Sequence, residues 1–161
     1  MKKLLWGIIL VLVTLISTVY AEDKPRADIS TVNTDKLQEG LDSLNQKEYD
    51  KALKILQPIS DAGNAQAQFA LGSMYGQGLG VKRDRTKSKE LVQKSADQGN
   101  LDAVERMVAA MAFNPMAKDA EVDKVINDAL KLYKEEIDKG NTKAMVKLGG
   151  MYEMGFGVKE S

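Results

Sequence analysis

The sequence has no cysteine and no histidine among its 161 residues. Without these side chains there is no imidazole general base, no thiolate nucleophile, no disulfide and no zinc site of the usual nitrogen and sulfur type. The sequence also has no excess of either charge, because 23 lysines and arginines balance 23 aspartates and glutamates. A neutral chain lacks the broad basic surface that non-specific nucleic-acid binding needs. We therefore expect no nucleic-acid partner, no cofactor and none of the commonest catalytic chemistries.

The first 21 residues have the three parts of a secretory signal peptide. Lys2 and Lys3 precede an apolar run over 4–16, and small side chains lead up to the expected cut after Ala21. The apolar run is shorter than the roughly 20 residues that span a bilayer, which favours a cleaved signal over a permanent anchor. We therefore predict a periplasmic or secreted protein with no membrane attachment after cleavage.

The rest of the chain is repetitive and has a helical period from Asp35 onward, after a charged stretch over 22–34 that we predict to be a flexible leader. The segments 61–82 and 138–159 align without a gap, and a weaker copy begins at Asp97. Periods of about 34–45 residues built from paired helices are typical of an α-solenoid. The sequence therefore predicts an all-α superhelix over 35–161.

The predicted solenoid has a leading helix pair over 35–62 and repeats that start near residues 63, 99 and 140, the last of them incomplete. Seven helices are expected from the apolar periodicity. Their predicted bounds are 35–46, 48–61, 65–76, 84–97, 101–112, 119–138 and 142–153.

The two strong copies share a set of structural positions. These positions are Ala67, Leu71, Gly72, Tyr75, Gly78 and Gly80 in the first strong copy, and Ala144, Leu148, Gly149, Tyr152, Gly155 and Gly157 in the second. The spacing of four from alanine to leucine to tyrosine predicts a buried helix seam. A glycine inside a helix costs about 1 kcal/mol relative to alanine, so Gly72 and Gly149 are expected to permit close helix contact. The paired glycines that follow suit a tight reversal.

The pattern Ala-x-Ala-x-x-x-Leu-Gly-x-Met-Tyr-x-x-Gly-x-Gly-Val over 65–81, echoed over 143–158, resembles the signature of the Sel1-like repeat, a relative of the tetratricopeptide repeat. The resemblance covers 35–161 and implies an αα-superhelix whose inner surface binds other proteins. Family members serve as scaffolds or regulators in bacterial envelopes, and some are immunity proteins that block phospholipase effectors. The resemblance thus implies a non-catalytic binding module whose partner is an envelope protein or a toxin.

The middle copy departs from this pattern. Residues 114–117, Asn-Pro-Met-Ala, replace the Gly-x-Gly-Val turn, and five extra residues precede the next helix. Because Pro115 cannot continue a helix, we predict an exposed loop that carries Phe113 and Met116.

The last copy stops where its return helix should begin. A solenoid repeat buries its face on the next repeat, so Leu148, Met151 and Tyr152 are expected to lack cover. Two explanations stay open: the sequence is a fragment of a longer array, or its open end docks on a partner or on a second copy to form a homodimer.

Candidate partner-binding positions lie outside the buried seam. They are Phe69, Ser73, Glu105 and Val146 on the inner surface, with Phe113 and Met116 in the loop. An exposed Phe69 would be a natural anchor for a partner, but the same residue can equally pack on a neighbouring helix. Helical spacing predicts that most methionines, including Met145, are core residues and that Met116 and Met154 are exceptions at loops.

A carboxylate-dependent hydrolase is the remote alternative. Such chemistry needs two carboxyl groups about 5–10 Å apart, and Asp97 and Asp102 are candidates. Aspartates and glutamates are abundant here and belong at helix starts and solvated faces, so no pair is singled out. We therefore predict no catalytic residue and no metal ligand.

Overall fold

A computed structural model of the chain describes residues 29–156, with side chains from Thr34 onward. The predicted signal peptide over 1–21, part of the leader and Gly157 lie outside the described residues. Contacts divide the chain into two units, Met1–Thr34 and Asp35–Ser161.

The described residues form seven helices and no strand. The helices are α1 Ile29–Asn45, α2 Tyr49–Asp61, α3 Ala65–Gln77, α4 Arg85–Asp97, α5 Leu101–Ala112, α6 Asp119–Asp138 and α7 Thr142–Glu153. The prediction of an all-α fold with seven helices is confirmed. The bounds of α5, α6 and α7 agree with the sequence prediction, because an apolar period marks each of them and a capping asparagine precedes α5 and α7.

The first helix differs from its prediction. It begins at Ile29, six residues before the expected start at Asp35, so the last part of the predicted flexible leader is helical. The sequence contains no proline or glycine between Pro25 and Gly40. Once a helix is nucleated, each added residue contributes a hydrogen bond at little further cost, so the helix extends beyond its packed part.

An asparagine precedes each of α3, α5 and α7. Asn64 Oδ1 accepts a hydrogen bond from the backbone N–H of Ala67 at 3.0 Å, and Asn100 Oδ1 accepts one from Ala103 at 3.1 Å. Asn141 caps α7 in the same way. The caps satisfy backbone donors that have no partner within the helix, and each contributes about 1 kcal/mol. The three equivalent helices therefore begin at the same position of each repeat.

The apolar residues form two clusters along the helix seams. The first cluster contains Ala52, Leu56, Ala67, Ala70, Leu71 and Met74. The second contains Leu101, Val108, Ile126, Ala129, Leu130, Tyr133, Ala144 and Met151. The first cluster lies between α2 and α3, and the second holds α5, α6 and α7 together.

The residues of the predicted seam are more buried in α3 than in α7. Leu71 is fully buried, whereas the equivalent Leu148 is only half-buried. Tyr152 is 40% exposed, as expected for a residue without cover. Met151, which was also expected to lack cover, is only 2% exposed because it packs into the second cluster with α5 and α6, so that part of the prediction is wrong. Met145, which the helical spacing placed in the core, is 52% exposed, so that prediction is wrong. Its side chain lies on the face of α7 that no described residue covers.

Gly72 and Gly149 have different surroundings despite their equivalent positions. A Cβ atom on Gly72 would lie 3.0 Å from Val92 Cγ2, so this glycine permits close packing of α4 on α3 as predicted. A Cβ atom on Gly149 would meet nothing within 4 Å. The expected close contact at Gly149 is therefore absent from the described residues, because α7 has no neighbour corresponding to α4.

The turn after α3 requires its two glycines. Gly78 has φ +77° and ends the helix in the left-handed region, and Gly80 has φ +66°. A Cβ atom on Gly80 would also lie 2.7 Å from Tyr49 Cβ. The turn thus brings the backbone against the start of α2, which a larger residue would prevent.

Candidate protein-binding site

The surface formed by α3, α5 and α7 carries four of the predicted partner-binding positions. Phe69, Glu105 and Val146 are equivalent residues of the three copies. Phe69 and Ser73 are half-buried, Glu105 is exposed, and Val146 is 76% exposed. We use the term repeat face for the surface made by Phe69, Ser73, Glu105, Arg106, Val146 and Lys147.

A hydrogen bond ties α5 to α3 within the repeat face. Arg106 Nη1 donates to Ser73 Oγ at 2.7 Å, and Ser73 Oγ in turn donates to the carbonyl of Phe69 at 3.0 Å. Arg106 did not stand out in the sequence, because nothing in its local pattern shows which helix its side chain reaches. Only the packing of successive repeats brings the two side chains together.

An ion-pair network ties α7 to α5. Lys147 Nζ lies 2.9 Å from Asp102 Oδ1 and also contacts Glu105 Oε2, while Lys143 Nζ donates to Asp102 Oδ2 at 2.5 Å. The Lys147 side chain is only 15% exposed. Lys147 and Arg106 occupy equivalent positions in their copies, so in both repeats a cation reaches back to the equivalent helix of the preceding repeat.

The network fixes the charges of its members. Burial by itself would raise the pKa of Asp102, but hydrogen bonds and charges from Lys143 and Lys147 together lower that pKa below its ordinary value. Burial likewise opposes the charge of Lys147, yet hydrogen bonds to Glu105 and Asp102 raise its pKa. Both groups are therefore firmly ionised near neutral pH.

Tyr133 of α6 lies beneath this network. Its side chain is fully buried, and among the described residues its hydroxyl has no hydrogen-bond partner. Burial raises the pKa of this phenol strongly, and the negative charges of Glu105 and Asp102 raise it further. The equivalent residues in the other copies are the aliphatic Leu56 and Val92. The hydroxyl is thus a neutral donor without an acceptor, in a place where the other repeats have hydrocarbon.

The loop after α5 exposes two large apolar side chains. Phe113 is 73% exposed and Met116 is 90% exposed. The loop is held by Asn114, whose Oδ1 accepts a hydrogen bond from the backbone N–H of Met116 at 3.0 Å. The role of these residues in binding a partner stays a prediction.

The geometry at Asp102 does not favour the hydrolase alternative. A glycosidase general acid needs a raised carboxyl pKa, whereas the lysines around Asp102 lower its pKa. Asp97 is exposed and accepts a hydrogen bond from Gln93 Nε2 at 2.7 Å, a bond within one helix turn. Both carboxylates thus have ordinary structural partners.

The repeat sequence can now be compared with known proteins. The Sel1 repeat family model matches residues 65–100 and 142–161, which contain α3, α4 and α7. These two segments are similar to Sel1 repeats. Proteins built from Sel1 repeats generally mediate interactions with other proteins, and the family is typically a non-catalytic interaction scaffold.

Two solved structures share the fold. A Sel1 repeat protein from Oxalobacter formigenes matches with a TM-score of 0.56 and 23% identity, over 79% of this chain and 49% of the other. The protective antigen c5321 of uropathogenic Escherichia coli, which has an SLR fold, matches with a TM-score of 0.53 and 26% identity. That match covers 81% of this chain and 28% of the antigen. The chain therefore spans half or less of these proteins.

A curated relative matches over a shorter stretch. DAP3-binding cell death enhancer 1 of Rattus norvegicus is 40% identical over 57 residues, which is 35% of this chain and 11% of that protein. Its name states that this rat protein binds DAP3.

The described residues offer neither a membrane span nor a cluster of metal ligands. No helix within 29–156 is long and apolar enough to cross a bilayer. Within the same residues no group of three or more acidic side chains is arranged to hold a metal ion.

Proposed function

We propose that this protein is an exported, non-catalytic binding module whose repeat face holds a segment of another protein. The observation that carries the proposal is that a hydrogen bond and ion pairs join α3, α5 and α7 into one surface, on which Val146 is 76% exposed. The Sel1 repeats support the same class of function.

The bonds between α3, α5 and α7 order the repeat face before a partner binds. The Arg106–Ser73 bond and the contacts of Lys147 with Asp102 and Glu105 join helices that are 33 to 45 residues apart in sequence. A surface that is already ordered loses little conformational freedom when a partner docks, so more of the contact energy appears as affinity. The cross-helix bonds therefore serve binding as well as stability.

The chemistry of the repeat face indicates the kind of segment it accepts. Val146 is an apolar contact, and it lies next in sequence to the cation Lys147. Glu105 provides a negative charge close to that cation. A protein segment with an apolar anchor and polar groups of both signs would complement this surface, since charged pairs at a rim determine register and specificity.

Export is part of the proposal and rests on the pattern of residues 1–21. The prediction is a mature protein in the periplasm that begins at Glu22. Fractionation followed by intact-mass measurement tests it. A full-length protein in the membrane fraction would contradict cleavage and support an uncleaved anchor instead.

Affinity capture from periplasmic extract, with two matched substitutions, tests the binding surface. Val146→Asp places a charge on the repeat face, whereas Met116→Asp places the same charge on the exposed loop. We expect the first variant to lose the captured protein and the second to retain it, with both keeping the circular dichroism spectrum of the parent. The opposite pattern would assign binding to the loop and overturn the choice of the repeat face.

Phe69→Ala tests whether α3 contributes to the binding site. Phe69 is half-buried, so part of its ring is available to a partner. If it is an anchor, truncation should weaken capture at least tenfold, as for a typical interface hot spot. Unchanged capture by a folded variant would restrict the site to α5 and α7.

The identity of the captured protein separates the two roles that the family resemblance implies. An envelope protein would indicate a scaffold or regulator, and a secreted phospholipase would indicate an immunity protein. Growth under attack by a toxin-producing strain, with and without the gene, provides an independent check. Equal survival would exclude the immunity role.

A further inference from the structure

Arg106 on α5 is a half-buried cation without a carboxylate partner among the described residues. Its guanidinium has five N–H donors, and the hydrogen bond found for them is the one from Nη1 to Ser73 Oγ at 2.7 Å. Ser73 Oγ donates its own hydrogen to the carbonyl of Phe69, so it accepts the bond from Arg106. The guanidinium is thus held in place, and donors remain that no described residue accepts.

Comparison with the next repeat shows why this arginine has no counter-charge. The equivalent cation, Lys147, forms ion pairs with Asp102 and Glu105 of the preceding repeat. The residues of α3 at the positions of those two acids are Gln66 and Phe69, which carry no charge. The repeat therefore places a cation at the same position twice, but it supplies the matching carboxylates once.

A second arginine lies beside the first. Arg83, in the turn after α3, donates from Nε to the carbonyl oxygen of Gly76 at 2.8 Å. A Cβ atom on the same glycine would lie 3.1 Å from Arg106 Nη2. Both guanidinium groups are therefore next to Gly76, one turn of α3 beyond Ser73. We use the term arginine pair for Arg83 and Arg106.

The segment that contains Arg83 is strongly basic, although the whole chain is neutral. Residues 82–89 are Lys-Arg-Asp-Arg-Thr-Lys-Ser-Lys, with five cations and one acid. That acid, Asp84, caps α4 by accepting a hydrogen bond from the backbone N–H of Lys87 at 2.9 Å. Within the described part of the chain, none of the five cations forms an ion pair. The arginine pair thus lies in a local excess of positive charge, which attracts anionic groups.

The chemistry of the arginine pair fits a carboxylate. A guanidinium presents its N–H donors in a planar fork that matches the two oxygens of a carboxylate, and such charge-assisted bonds are about twice as strong as neutral ones. Because Arg106 is half-buried, salt screens its interactions less than those of an exposed cation. Arg106 also belongs to the repeat face, where Phe69 and Val146 offer apolar contacts. A protein segment supplies both kinds of contact at once.

We propose that the arginine pair binds an aspartate or glutamate side chain of the segment that occupies the repeat face, so that the partner offers an acidic segment. This inference rests on the proposed function and adds the charge of the partner to it. The carboxylate bonds the free donors of Arg106 and Arg83 beside Gly76. Further acidic residues of the segment are attracted by the cations of 82–89.

Arginine side chains provide a direct readout. The four arginines of the chain are Arg26, Arg83, Arg85 and Arg106, so single substitutions assign their Nε–H signals in ¹⁵N-labelled protein. Hexaglutamate is titrated to millimolar concentration at low ionic strength, where screening is weak. We expect saturable shifts of the Arg83 and Arg106 signals with hexaglutamate and no shifts with hexaglutamine. Unshifted signals of both arginines at millimolar hexaglutamate would overturn the proposal.

Three charge-matched variants test whether the site is specific. Arg83→Gln and Arg106→Gln should each weaken hexaglutamate binding about fivefold, as for a partly buried ion pair. A glutamine at position 106 retains a donor for Ser73, so that variant should keep its fold. Lys134→Gln removes the same charge from an exposed, unpaired lysine of α6 and should leave the affinity within twofold. Equal weakening by all three variants would show a response to net charge alone, which overturns the proposal.

Vesicles of phosphatidylglycerol cover the other source of anionic groups. Cosedimentation with these vesicles that both arginine variants abolish, without a response to hexaglutamate, would assign the arginine pair to a lipid surface and overturn the acidic segment.

Capture from periplasmic extract separates this inference from the proposed function. We expect Arg83→Gln and Arg106→Gln to reduce capture, as Val146→Asp does. Capture that is lost in Val146→Asp and retained in both arginine variants would overturn the acidic segment and leave the repeat face as the binding site. Capture that is retained in all three variants would contradict the repeat face itself.

Discussion

Arg106 and Ser73 are 33 residues apart in sequence, yet Arg106 Nη1 donates a hydrogen bond to Ser73 Oγ at 2.7 Å. This contact joins α5 to α3 across the boundary between two repeats. A solenoid has no contacts between distant repeats, so its rigidity depends on such bonds between neighbours. Four predictions follow from this and related contacts.

Removal of the Arg106–Ser73 bond should reduce stability modestly. Ser73→Ala and Arg106→Met should each lower the free energy of unfolding by about 1 kcal/mol, the usual net value of one hydrogen bond. The double variant should cost less than the sum, because both substitutions remove the same bond. Urea denaturation of the four proteins measures this coupling, and strict additivity would show that the bond contributes nothing.

The ion pairs of Asp102 should make stability sensitive to acid. The pKa of Asp102 is lower in the folded chain than in the unfolded chain, so its contribution is present above the ordinary carboxyl pKa and is lost as pH falls through the folded value. Asp102→Asn should therefore flatten the fall of the unfolding free energy from about pH 5 downward. An acid profile that is unchanged in the variant would contradict the pairing with Lys143 and Lys147.

Tyr133→Phe should stabilise the protein. The buried hydroxyl has no acceptor, and a polar group left unsatisfied in this way costs about 1–3 kcal/mol. Since the pKa of Tyr133 is raised by folding, the wild type should also lose stability above about pH 10, where the unfolded phenol ionises. The variant should lack that part of the alkaline loss. Thermal unfolding at pH 7 and pH 10.5 tests both effects, and a less stable variant at pH 7 would reveal a bond to the hydroxyl.

The same substitution at two equivalent glycines should have opposite effects. Gly72→Ala places a Cβ atom 3.0 Å from Val92 and 3.2 Å from a backbone oxygen, so it should destabilise the contact of α4 with α3. Gly149→Ala meets nothing within 4 Å and should stabilise α7 by about 1 kcal/mol through helix propensity. Chemical denaturation of the two variants and the wild type measures these changes in the free energy of unfolding. A loss of stability in the Gly149→Ala variant would contradict the absence of close neighbours around Gly149.

Much of the fold could be predicted from the sequence because its signals are local. The spacing of apolar residues marks α5, α6 and α7 at their observed bounds, and an asparagine stands directly before α5 and α7. Helical period and capping depend on residues within one or two turns of each other. The start of α1 at Ile29 was not predicted, since the end of a helix beyond its packed region leaves no apolar pattern.

The candidate site was predictable only in part. Phe69, Glu105 and Val146 could be placed at equivalent positions by the repeat, but the sequence did not show that Lys147 joins Asp102 to Glu105. It also led to a wrong prediction for Met145, because an apolar residue at helical spacing looks the same whether or not a neighbouring helix covers it.

The sequence by itself determined that the described residues form seven helices in this order, and that 65–100 and 142–161 are similar to Sel1 repeats, because each of these follows from patterns within a repeat. Only the tertiary structure decided how the repeats meet. It showed that Val92 packs against Gly72 whereas no described residue lies within 4 Å of a Cβ atom on Gly149, and that Arg106 and Lys147 each reach the equivalent helix of the preceding repeat. The physical reason is that identical local patterns acquire different surroundings according to which helix, if any, packs against them.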